Sequence, residues 1–266
     1  MEDILRLRGL TPPGPAPDSA LHTILGHRSC RAYLPDPVPE ALMRQLLAAA
    51  QSAPSSCNLQ AWSVVRVTAP ARKAQLAALS GGQSHVAEAP VLLCFLADLA
   101  RPGAVAEDNG VPSETLDYLE TLLVGVIDAT LAAQNLATAA EGAGLGTCYL
   151  GGMRNDIAAV ARILDLPPRV APVFGLTLGY PDPVRPAAPR PRLPVQSQLH
   201  EERYDRRDPL RGVADYEAHL AAFNRAQGRE VPPWGLQSAR RLATPERMEG
   251  RDGLAGALAA LGLARR

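Results

Sequence analysis

The stretch from Glu114 to about Gly142 restricts the fold more than any other. It carries the longest helical pattern in the chain, and its residues are apolar around much of the circumference. Such a helix loses free energy wherever it meets water, so it must run through a core or lie between subunits. Within it, Leu122 to Ala140 contains Asp128, Gln134 and Asn135. That content is too polar for a membrane span and predicts no membrane contact. The first residues, MEDILRLRGLTPPGPAPDSA, lack an apolar stretch followed by a small-residue cleavage site. A soluble, cytoplasmic protein is expected.

Around that helix the pattern alternates. Residues 1–20 read as a flexible arm, because Pro12, Pro13, Pro15 and Pro17 with Gly14 oppose regular structure. The folded body is expected over 21–266. Pro39 and Glu40 open a helix to about Ser52, with Leu42, Leu46, Leu47 and Ala50 on one face. Strands are predicted at Trp62–Val67, Val91–Ala97, Thr147–Leu150 and Val173–Leu178, with a short helix near 71–79. Asn155 is expected to cap a helix from Asp156 to Leu164. Two later helices are predicted near 209–226 and 252–263. Gly142, Gly144 and Gly146 read as helix stops. The order predicts an α+β or α/β fold, with helices over a central sheet.

Apolar residues make up 47% of the chain and aromatics only 4%, so the core rests on Ala, Leu and Val, which suits helices. Lys plus Arg number 27 and Asp plus Glu also 27. Zero net charge excludes a general nucleic-acid surface, which needs excess positive charge. The four cysteines form no CxxC pair and are expected to be free buried thiols. The five histidines do not cluster at metal-ligand spacing, and no GxSxG, HExxH or P-loop occurs.

Five polar constellations remain. His27-Arg28-Ser29-Cys30-Arg31 combines guanidinium forks with a hydroxyl, donors suited to phosphate oxygens; a helical turn would converge Arg28 and Ser29, an extended segment would part them. Ala53 to Gln60, with Ser55, is a small polar loop between helix and strand. Gly81-Gly82-Gln83-Ser84-His85 frees the backbone to approach a ligand. Gly144 to Gly152 fails as a dinucleotide fingerprint, since its glycines follow a helix rather than open one; Gly151 and Gly152 end a strand where a flat ring can lie on bare backbone. Arg190 and Arg192 share one face of an extended segment. Each has an ordinary reading as a solvated turn or linker. Together they suit a flat, phosphorylated cofactor.

GHRSCRAY, APSSCNLQ, LSGGQSHVAEAPV, GLGTCYLGGMRND, LPPRVAPVFGLTLGYP and RPRLPVQSQLHEERY occur in this order over 21–266. They resemble the nitroreductase superfamily, in its group of NADPH-dependent flavin reductases and oxygen-insensitive nitroreductases. The resemblance implies an α+β fold with a mostly antiparallel sheet, in an intertwined homodimer with the long helix at the interface. It implies FMN held by His27, Arg28, Ser29, Cys30 and Arg31, by Ser55, by Gln83, Ser84 and His85, by Tyr149, Leu150, Gly151 and Gly152, and by Arg190, Pro191 and Arg192. Arg190 stands where that family usually has Lys. Gln227 stands where the closest group has an arginine for the NADPH 2′-phosphate; Arg225 and Arg229 flank it and are the candidates here. The implied activity is ping-pong hydride transfer from NADPH or NADH to nitroaromatics, quinones or free flavin, with no protein acid or base and no metal. The competing readings are a specialised quinone or azo reductase, a reductase supplying reduced flavin to a partner, and a protein that binds or senses flavin without turnover.

Overall fold

The computed structural model describes residues 19–266, so the expected arm at 1–20 lies outside the described residues except at its end. There Ser19 accepts a hydrogen bond from the His22 amide and caps a helix, α1, at Ala20–Leu25. The described chain forms two compact units. One holds the residues up to Arg28 together with Ala188–Arg247; the other holds Ser29–Ala187 with Met248–Arg266.

The larger unit is built on a four-stranded sheet with strands β1 (Trp62–Val67), β2 (Val91–Asp98), β3 (Gly146–Leu150) and β4 (Val170–Gly179). Their order is β1-β2-β4-β3 and every pairing is antiparallel. β2 and β4 are buried along their whole length, as their continuous apolar runs require. The remaining helices of this unit are α2 (Glu40–Gln51), α3 (Pro70–Leu79), α4 (Ser84–Glu88), α5 (Ala100–Asp108), α6 (Leu119–Gly142), α7 (Ile157–Leu164) and α10 (Leu254–Ala260). Leu93, Phe95, Leu176 and Leu178 form one apolar cluster with Met43 and Leu46 of α2 and with Ala129, Ala133 and Leu136 of α6. Leu92, Cys94 and Leu96 form another with Leu76, Val86 and Val160. Alternate residues of β2 thus serve opposite faces, as strand geometry dictates.

Small residues let α6 lie close to the sheet. A Cβ on Gly125 would stand 3.1 Å from the Ala61 carbonyl oxygen and 3.2 Å from Ala97 Cβ. The outer side of α6 is different: Leu119, Leu123, Ile127 and Leu131, four residues apart, are 53%, 45%, 55% and 37% exposed. By length and composition α6 is apolar enough to cross a bilayer despite Asp128, Gln134 and Asn135, and its inner side packs against the sheet.

The smaller unit contributes α1, α8 (Val213–Ala226) and α9 (Trp234–Arg241). Tyr216 and Trp234 meet edge to face at 5.3 Å, and Glu217 Oε1 accepts from the Gly235 amide at the start of α9. The 185–194 segment has no helix or strand, as expected.

Several local expectations need correction. Glu114–Asp117 is a separate 3-10 turn, and α6 starts at Leu119 after extended Tyr118. The sequence pattern does not announce α1, α4, α5 or α9: the first three are short and sit beside glycine or polar residues, and the last lies behind Pro232 and Pro233. Asp156, not Asn155, caps α7, accepting from the Ala159 amide at 2.8 Å. Of the helix-stop glycines only Gly144 is left-handed, at φ 81°. Gly142 is the last residue of α6 and Gly146 the first of β3. Cys57 is exposed, whereas Cys30, Cys94 and Cys148 are buried.

Candidate functional site

His27–Arg31 leaves α1 as extended chain, not as a helical turn. Ser29 forms a parallel bridge with Thr147, and the Cys30 amide donates to the Thr147 carbonyl at 2.8 Å. Cys30 is therefore pressed onto β3; a Cβ on Gly146 would stand 2.6 Å from its own Cβ. The buried thiol donates to the Ala32 carbonyl. The buried Tyr33 hydroxyl donates to the Cys30 carbonyl at 2.7 Å and lies 2.8 Å from Thr177 Oγ1, fixing the far side of the turn. Burial holds this phenol well above its ordinary range.

A second strand joins this arrangement through β3. After Leu150, a Cβ on Gly152 would stand 2.8 Å from Ser80 Cα and carbonyl oxygen, so only glycine fits there. Ser80 opens the glycine loop, where Gly81 and Gly82 adopt φ 85° and 68° and the Gln83 side-chain amide donates back to the Ser80 carbonyl at 2.7 Å. Ser84 is exposed at the start of α4. His85 is buried, and its Nε2 has no hydrogen-bond partner. Burial first, then the Arg31 charge, pushes this imidazole below its ordinary value and favours the neutral form. In contrast to Gly152, Gly151 is open: the nearest atom to a Cβ there is Arg154 Nη2, at 3.6 Å.

Within the larger unit, Ser29–Arg31, the Gln83–His85 loop and Tyr149–Gly152 are therefore assembled around β3. Tyr149 meets Phe174 edge to face, and its hydroxyl donates to Gln134 on α6 at 3.3 Å. Ser55 is tied elsewhere. Its hydroxyl donates to Asp128 Oδ2 at 2.7 Å and accepts from the Gln60 amide at 2.7 Å. Asp128, 1% exposed on α6, also accepts from the Ala61 amide at 3.0 Å. The loop so anchored holds Cys57, Asn58 and Gln60 at φ 50°, 55° and 50°. Left-handed backbone at non-glycine residues costs on the order of 1–2 kcal/mol each.

In the smaller unit, Pro191 is buried, while Arg190 and Arg192 are exposed. Arg192 Nη1 donates to the Arg190 and Pro191 carbonyls at 3.3 and 3.2 Å. Arg28, which folds into the same unit, donates to the Gly26 carbonyl at 3.4 Å. Arg225 closes α8, and Arg229 lies over the Phe223 ring at 5.8 Å. Among the described residues, none of Arg28, Arg31 and Arg192 has a carboxylate partner.

Two further residues matter. In sequence Asp128 is a lone polar residue in an apolar helix, where a carboxylate demands hydrogen-bond donors. Arg154 stands within the GLGTCYLGGMRND motif, yet only the glycines were weighed. It is half-buried, donates to the Val173 carbonyl and has no acid partner among the described residues. Burial and the Arg251 charge lower its proton affinity.

Within the larger unit, the Arg31 guanidinium without a carboxylate partner among the described residues, the orphaned His85 nitrogen and the strand end with room beside Gly151 are features that suit a flat anionic ligand. The chain belongs to the nitroreductase family: the model for that family matches residues 24–180, and the model for its C-terminal domain matches 190–266. It is 39% identical over 208 residues to an oxygen-insensitive NADPH nitroreductase of Salmonella typhimurium, covering 78% of this chain and 83% of that protein. It is 36% identical over 225 residues to an FMN reductase (NADPH) of Bacillus subtilis, covering 83% and 90%. The solved structure of NfrA2 from B. megaterium matches with a TM-score of 0.87 at 33% identity, over 94% of this chain and all of that one.

Proposed function

We propose that the protein is an FMN-dependent NAD(P)H oxidoreductase that reduces nitroaromatics, quinones or free flavin by ping-pong hydride transfer. Support comes from the family, from relatives named as NADPH nitroreductase and FMN reductase, and above all from the arginines of the cofactor segments. In a chain of zero net charge, Arg28, Arg31 and Arg192 have no carboxylate partner among the described residues. Leaving a guanidinium without a counter-charge is unfavourable unless an anion arrives.

These residues would hold FMN, which would supply reversible hydride transfer between a nicotinamide and the oxidant. The protein's part is binding and electrostatics. Arg28, Ser29 and Arg31, with Arg190, Pro191 and Arg192, are assigned to the phosphate and the ring's negative charge. His27, Cys30, Gln83, Ser84 and His85 line the ring and ribityl chain, His85 as a neutral imidazole. Tyr149, Leu150, Gly151 and Gly152 offer backbone to the ring face, and Ser55 contributes from its own loop. Arg225 and Arg229 are assigned to the NADPH 2′-phosphate. We read 21–266 as one functional flavin-binding body, working as a cytoplasmic homodimer. The homodimer reading rests on the exposed stripe Leu119, Leu123, Ile127 and Leu131.

The test is purification followed by anaerobic titration. A yellow protein whose visible absorbance bleaches with NADPH, and more slowly with NADH, is expected. Colour that persists in excess of both nicotinamides would instead indicate a flavin binder or sensor. Arg192→Ala is expected to weaken FMN retention about tenfold or more, as loss of one charge-assisted contact implies; unchanged FMN affinity by fluorescence titration would remove Arg192 from the site.

A further inference from the structure

A cavity of about 530 Å³ lies within the larger unit, between α6, β4, α7 and α10. Leu122 and Val126 of α6, Phe174 of β4, Ile157 of α7 and Leu254 and Leu258 of α10 form its walls. The α6 row that lines it is not the outward stripe Leu119, Leu123, Ile127 and Leu131. Three polar side chains interrupt the apolar lining, and two of them are already engaged. The Thr130 hydroxyl donates to the Val126 carbonyl of its own helix at 2.7 Å, and the Tyr149 hydroxyl donates to Gln134 at 3.3 Å. The third, Arg154, is the one charged residue of the lining. Its Nη1 donates to the Val173 carbonyl. Its other guanidinium nitrogens have no hydrogen-bond partner among the described residues, and none of them is closed off from solvent. No carboxylate pairs with it among the described residues. Glu249 is engaged by Arg251 at 3.6 Å, and Arg251 adds its own positive charge beside Arg154.

We propose that this cavity binds a small amphipathic monoanion, with its hydrocarbon body against Leu122, Val126 and Leu258 and its carboxylate on the unbonded nitrogens of Arg154. Water gains little in an apolar cavity, where it finds few polar partners, whereas a hydrocarbon gains contact with every wall. A guanidinium set into such a wall attracts an anion more strongly than the same group on an open surface, where water screens it. A carboxylate answers that charge with charge-assisted hydrogen bonds, and the apolar walls select against a bare inorganic anion. The site needs neither flavin nor nicotinamide, so its test stands apart from the reductase reading.

Calorimetric titration of the full-length protein as purified tests this, with octanoate, 1-octanol and inorganic phosphate as probes. Saturable octanoate binding is expected, about tenfold or more tighter than either control. Arg154→Met is expected to weaken octanoate by about tenfold or more and to leave octanol nearly unchanged. Val126→Trp, whose indole would fill the cavity from α6, is expected to weaken both by a similar factor. Absence of saturable octanoate heat would overturn the proposal, as would octanol or phosphate binding as tightly as octanoate. Octanoate affinity unchanged in either folded variant would do the same, so one variant decides the matter if the other does not fold.

Discussion

Adjacent glycines at the end of β3 carry different demands. Gly152 has the Ser80 backbone 2.8 Å from where a Cβ would stand, and backbone cannot swing aside. Gly152→Ala is expected to cost about 1–3 kcal/mol, as overpacking does, and to lower the melting temperature. Gly151 has space, so Gly151→Ala is expected to melt within a degree or two of the parent yet lose FMN affinity, because the methyl would occupy the ring's place. An unaltered FMN dissociation constant in the folded Gly151→Ala protein would move the ring away from this strand end. Sequence alone marked both glycines as ligand-facing; it could not divide them, because the division depends on a loop some seventy positions earlier in the chain. Cys30 stands among polar neighbours in HRSCR, yet it is buried as expected, because chain pairing with Thr147 turns its thiol inward.

Among the elements, α6 matters most. Its helical pattern and wide apolar surface were legible because a 3.6-residue period needs no tertiary information. Its true start was not, since the Glu114–Asp117 turn has the same composition. β2 and β4 were legible for a similar reason, as uninterrupted apolar runs. The short α4 and α5 were not, because five and nine residues, under three turns, give too little period to separate from a loop. The outward stripe on α6 yields a prediction. Ile127→Glu, placing charge on a face that subunit contact would desolvate, is expected to shift the protein from dimer to monomer in sedimentation velocity. A monomeric parent would remove the stripe's assignment.

Considered whole, the molecule hides its acids with high proton affinity. Burial pushes the Cys94 thiol up to about 12 and raises Cys148, and the Tyr33 and Tyr149 phenols shift the same way. In the unfolded chain these groups ionise at their ordinary values, near 9 for thiols. The folded state then binds more protons than the unfolded state, so stability is intact below about pH 9 and falls as pH rises toward 12. Melting temperature should decline over that window, and Cys94→Ala should make the decline shallower than in the parent. Equal slopes would mean that Cys94 does not contribute. The broad architecture was readable from periodicity, whereas the cofactor segments lie on loops whose meeting is decided by packing, so only motif resemblance brought them together beforehand.

Asp128 ties two of these levels together. Its carboxylate grips the Ser55 hydroxyl and the Ala61 amide from the inner side of α6, one residue from the outward Ile127. Removing it strands the buried Ala61 amide, so Asp128→Ala should cost about 1–3 kcal/mol, read as a fall in denaturation midpoint. The same clasp is also a mechanical link. Any rotation of the helix, such as a neighbouring subunit docking or leaving would impose, is handed directly to the serine loop. In the proposed homodimer, association and the geometry of that loop are therefore expected to change in step, and dilution toward single chains should loosen the loop before anything else unfolds.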